Sequence, residues 1–172
     1  MPKRRLYLFL HWIPAMIGVM VIIIESTGTM SSANTSRWLL PIWIKLFGPI
    51  TPDRWAVVHH WIRKTGHFVG YGLVSLGFFE GWRATFVAKT RSHGWVFAVV
   101  APLSLVSTLA LASWDEWHQS LLRGRTSKIS DVGIDLSGAV VAHLLLLLVL
   151  VIVWRVRAAR ARTATHQLSS RV

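Results

Sequence analysis

The chain has no cysteine among its 172 residues, so it can form neither a disulfide nor a thiolate metal site, and its redox compartment stays open. Acidic residues are scarce as well. Seven Asp and Glu stand against 19 Lys and Arg, a formal net charge of +12. Charged residues make up only 15% of the chain and hydrophobic ones 53%, which is too apolar for a water-soluble domain of this length. The shortage of charge is regional: apolar runs at 6–24, 63–81, 94–114 and 132–154 each approach the roughly 20 residues that cross about 30 Å of hydrocarbon. Two further absences narrow the function. There is no G-x-S-x-G elbow and no H-E-x-x-H zinc helix, and no basic stripe with stacking aromatics lies outside the runs, so nucleic acid is not an expected partner.

These runs predict an all-α fold, an integral membrane bundle of four transmembrane helices. The first run follows Lys3, Arg4 and Arg5 and precedes Ser31, Ser32 and Ala33, as a secretion signal would, but its apolar stretch is too long and three more runs follow. It reads as an uncleaved first helix. Four crossings put both termini on one side. With the 80–94 stretch that contains the 82–93 loop, those segments carry eleven Lys and Arg against eight on the other side, and only Glu80 of the seven acids, so both termini are expected in the cytoplasm. Trp61 and Trp82, Trp95 and Trp114, and Trp154 stand near run ends, where amphipathic indoles favour the headgroup level.

The basic N-terminus (1–5) and tail (155–172) then meet anionic lipid, the tail as a frayed segment. The 25–62 connection is expected outside the membrane. It contains an apolar segment, interrupted by Pro41 and Pro49, that lies on the outer membrane surface or folds over the bundle as a cover for its polar face. The 115–131 segment is expected to be an outer polar loop.

Ionisable groups converge on this outer side. Lys64, His67 and Tyr71 share one face of the second helix at spacings of three and four. Asp115, Glu116 and Gln119 end the third helix, and Asp131 and Asp135 open the fourth. Charge in a span is expensive, so these groups should face the bundle interior and find partners there. More than one role suits several of them. Asp131 fits a first-turn helix acid or a functional carboxylate. Arg125, with Arg123 and Lys128 nearby, fits a loop salt bridge or a phosphate ligand. His67 and Glu116 fit a buried hydrogen-bonded pair or a candidate acid–base pair. A metal site of His67, His118 and Glu116 is the weaker alternative, and the sequence calls for no cofactor or metal. His143 reads as a packing histidine bonded to a neighbouring backbone or hydroxyl group. Gly66/Gly70 and Gly77/Gly81 are spaced as notches for helix approach.

Lys64, His67, Phe68 and Tyr71, then Asp115, Glu116 and Gln119, then Arg125, Ser127, Asp131 and Gly138 together resemble the signature of the VanZ-like family over about residues 60–150. Asp135 departs from the asparagine usual there, and must be either neutral or reached by a cation such as Arg125 or Lys64. The resemblance implies a multi-pass protein of the bacterial plasma membrane, in a family named for a member that lowers susceptibility to teicoplanin.

Three functions follow as expectations. The first is a pocket for a lipid headgroup, a lipid-linked cell-wall intermediate or a glycopeptide antibiotic. The second is an enzyme acting on a lipid-linked substrate through Glu116 and His67, and the third a small transporter. Membrane lipids and a second copy of the chain are the expected partners.

Overall fold

The computed structural model describes residues 2–86, 93–122 and 128–169, and all its regular elements are helical. Five α-helices follow in order: α1 Pro2–Ser26, α2 Ser32–Phe47, α3 Pro52–Phe86, α4 His93–Ser120 and α5 Ile129–Ser169, with a 3-10 turn at Gly28–Met30 between the first two. Three of these, over Lys3–Ser26, Phe97–Ser120 and Ile129–Arg160, are long and apolar enough to cross a membrane. Their outward faces expose Leu6, Phe9 and Met20 on α1 and Leu144, Leu145 and Leu148 on α5. Such a continuous apolar exterior belongs in lipid rather than water.

Helix α3 is the hub, packed against α1, α4 and α5. At 35 residues it is roughly 52 Å long by the helical rise. It is the least apolar of the long helices because it carries His59, Arg63, Lys64, His67, Glu80 and Arg83. Ile22 of α1, Tyr71 and Val74 of α3 and Ala112 of α4 form the buried centre, with Val132 of α5 packed against it.

Glycines decide how closely the helices approach. A Cβ on Gly138 of α5 would lie 2.0 Å from the Phe68 carbonyl oxygen of α3, and one on Gly72 would lie 3.1 Å from the Gly138 oxygen. The α3–α5 crossing is thus backbone against backbone. Gly77 meets the α1 backbone at Ala15 (2.8 Å) and Gly81 meets the Trp12 ring (2.6 Å), so this expected notch receives α1. The expected Gly66/Gly70 notch receives no helix, since neither position has an atom within 4 Å of a built Cβ.

Most of the 25–62 connection is helical. Helix α2 stops at Gly48, whose φ of +87° is unfavourable for any residue with a side chain, and its N–H bonds Ile44 O at 3.0 Å. Pro52 then occupies the first position of α3, where a missing N–H leaves no bond unmade. The backbone of α5 is helical through Ser169, so the tail expected to fray continues as helix.

At the far end from the acidic cluster, Glu80 takes two bonds from Arg83 (2.8 and 2.7 Å). His143 behaves as expected. Its Nδ1 donates to Ala139 O at 2.9 Å and its Nε2 lies 2.8 Å from Ser104 Oγ.

Candidate functional site

Helical spacing turns Lys64, His67 and Tyr71 inward, and each meets a carboxylate from another helix. Lys64 Nζ is 2.5 Å from Asp131 Oδ1 on α5, His67 Nδ1 is 3.3 Å from Asp135 Oδ1 on α5, and Tyr71 Oη donates to Asp115 Oδ2 on α4 at 2.8 Å. The three contacts form a ladder that runs down α3 with increasing burial. Lys64 and Asp131 keep 18% and 17% of their side chains exposed, while Tyr71 and Asp135 are fully buried and Asp115 nearly so. His67 stacks on Tyr71, centroids 6.1 Å apart.

Among the described residues the cation-forming group beside Asp135 is therefore His67, while Lys64 pairs with Asp131 instead. Asp131 sits in the first turn of α5, where the helix dipole favours an acid, and also holds Lys64. The His67–Asp135 atoms are close, but neither has hydrogen-bond directionality, and Asp115 Oδ1 and Ser75 Oγ also lack bonded partners. A polar group without a bond in this setting costs about 1–3 kcal/mol, so the floor of the ladder is a costly arrangement for stability alone.

Glu116, expected opposite His67, is buried and accepts the Lys128 backbone N–H at 2.9 Å, fixing the entry to α5. His118 bonds Ser26 across to α1 (2.9 Å) and stacks on Trp114. Among the described residues no three His, Asp or Glu side chains form a metal-ligating group. Gln119 is buried on the cavity wall. Arg123, Arg125 and Ser127 lie outside the described residues.

Above the ladder is a cavity of about 570 Å³, within the range of small-molecule sites. Arg63, Lys64 and Lys128 line it with His59, His60 and His67, against a single acid, Asp131. Lys64 pairs with Asp131, and Arg63, which has Glu25 of α1 nearby, and Lys128 leave cations in the majority along this wall. Such a wall suits a phosphate-bearing anion.

Helix α2 roofs the cavity through contacts that the sequence reading missed. Trp55 Nε1 donates to Ser36 Oγ at 2.7 Å, and His59 Nε2 lies 3.1 Å from Thr35 Oγ1. Burial first, and then the neighbouring Arg63 guanidinium, lower the His59 pKa from its ordinary value, so this imidazole is neutral at pH 7. The signal was available. Trp55, His59, Arg63, His67 and Tyr71 recur every four residues, which marks one continuous helical face beginning well before residue 63.

The fold and site together define an all-helical membrane protein with a buried polar ladder under a cationic cavity. The family model described as VanZ/LLP1 matches residues 9–152, and the chain belongs to this VanZ-like family. The match takes in α1 and α2 as well as the signature region, so roof and cavity fall inside it. No curated protein and no solved structure matches the chain.

Proposed function

We propose that the chain is a multi-pass protein of the bacterial plasma membrane whose outward-opening cavity binds the anionic headgroup of a lipid or lipid-linked cell-wall intermediate. Four crossings by α1, α3, α4 and α5, with both termini cytoplasmic, put the cavity on the outer side. The cysteine-free chain makes this easy to test. Cysteine at Gly28, where a side chain meets nothing within 4 Å, should react with an impermeant thiol reagent on intact cells. Cysteine at Lys3 or Arg157 should react only after permeabilisation. Labelling of the last two from opposite sides would remove the four-span count.

The observation that carries the binding reading is the majority of cations, Arg63, Lys64 and Lys128, over the single acid Asp131 on the wall of a cavity roofed by α2. A charge-assisted bond to phosphate is worth about 1.5–3 kcal/mol, roughly ten- to a hundredfold in affinity. Arg63→Gln should therefore weaken binding of phosphatidylglycerol to the purified protein by at least about tenfold, with little change in melting temperature. Unchanged lipid binding by a folded Arg63→Gln protein defeats the proposal. If the ligand is a cell-wall intermediate, the same variant should also lose any effect of the protein on teicoplanin susceptibility.

A further inference from the structure

The polar cavity does not end at its own wall. Arg63 and His67 also line a second, smaller cavity of about 180 Å³, bounded by Ile62 and Gly66 of α3, Glu25 of α1 and Met30 of the turn that follows. This second cavity lies where α1 ends, beside the exposed side of α3. Ile62 belongs in turn to a third depression of about 430 Å³ on α3, lined by Val57, Val58, Trp61 and Thr65, and almost wholly apolar. Shared side chains make the three spaces neighbours in series, from cationic cavity through a side window to an apolar trough. No helix closes the window on the Gly66 side, since a Cβ there would have nothing within 4 Å.

We propose that the ligand is an amphiphile, held with its anionic head among Arg63, Lys64 and Lys128 and with one hydrocarbon chain led out past Gly66 onto the Val57–Thr65 trough. The inference rests on the reading of the cavity as an anion site, and adds that a free anion lacking a chain is not the ligand. The chemistry runs in the right order along the path. Fixed cations hold the head where α2 excludes water. Arg63, His67 and Glu25 stand at the junction, and the wall beyond Ile62 is almost wholly apolar. A chain so placed lies against Trp61, Ile62 and Val57, all exposed on the protein's surface. It also gives the ligand a lateral route from the bilayer, past Thr35 at the edge of α2. Ile62 and Gly66 become the residues that select for a chain.

Gly66→Phe tests the route, because a Cβ at Gly66 meets nothing within 4 Å and a bulky side chain there would obstruct the window. Three measurements on protein purified in maltoside detergent are needed: dimyristoyl phosphatidylglycerol retained in native mass spectrometry, binding of glycerol phosphate by calorimetry, and melting temperature. The wild type should prefer the lipid to glycerol phosphate by at least tenfold. Gly66→Phe should lose at least tenfold in lipid binding, keep its glycerol phosphate affinity within twofold, and melt as the wild type does. Ile62→Gln, which makes the same passage polar, should show the same selective loss and stands in if the phenylalanine variant folds poorly. Equal wild-type affinity for lipid and glycerol phosphate overturns the amphiphile, as does normal lipid binding by both variants. Binding of neither probe to the wild type overturns the anion site itself, and is thereby distinguished from failure of the chain route alone.

Discussion

Gly138→Ala should cost more stability than any other single methyl group added to this chain. The new carbon would lie 2.0 Å from the Phe68 carbonyl oxygen, 2.8 Å from its carbonyl carbon and 3.0 Å from its Cα, all backbone atoms that no rotamer change can move aside. Helices α3 and α5 would have to separate by more than 1 Å, and the Lys64–Asp131 and His67–Asp135 contacts lie along that same interface. Overpacking usually costs about 1–3 kcal/mol, and a clash between two backbones belongs at the top of that range or beyond. For a chain of this length that is a fall of roughly 10 °C in melting temperature. Gly66→Ala and Gly70→Ala provide the contrast. With free space around both, they should be neutral or stabilise α3 by up to about 1 kcal/mol through helix propensity. A Gly138→Ala protein that melts within 2 °C of the wild type would show that the crossing is not as tight as described.

The second large effect concerns the fully buried Asp135. His67→Leu removes the cation-forming group that contacts it among the described residues and leaves a buried carboxyl without that partner, at a cost of about 3–5 kcal/mol. Asp135→Asn should be nearly neutral, because it trades a charge that is costly to desolvate for an amide of the same shape. The double variant, His67→Leu with Asp135→Asn, should then recover most of the loss. Thermal unfolding of the two single variants and the double in one detergent closes the cycle. If the double variant is no more stable than His67→Leu alone, His67 and Asp135 are not energetically coupled, and the ladder has two rungs rather than three.

The inward face of α3 was legible from the spacing of Lys64, His67 and Tyr71, and the acids that answer it were legible as residues out of place in apolar runs. Their pairing was not. Which carboxylate meets which donor depends on how α5 rotates against α3, and that is set by Gly138 lying on Phe68, a contact between positions 70 apart in sequence. Glu116 therefore looked like the partner of His67 but is bonded to the Lys128 backbone. The 25–62 connection was legible as a cover, but the helix face it covers was not. Hydropathy places the start of a span where apolarity rises, near residue 63, whereas the helix begins at Pro52 because Gly48, Pro49 and Pro52 stop α2 and start α3. Pro41, read as an interruption, sits inside α2 without ending it. The glycine pairs were half informative, since spacing alone cannot tell a notch that faces α1 from one that faces open space.

The ladder also determines where the helices come to rest along one another. The outer surface of α5, from Leu144 to Leu148, is nearly the same at every height, so lipid would accept it one turn higher or lower with little penalty. A slide of α5 along α3 by one turn, about 5.4 Å, would part Lys64 from Asp131 and His67 from Asp135 at the same moment. Two polar contacts at unequal depth thus act as a key cut for a single position, supplying the axial register that a leucine-rich surface cannot.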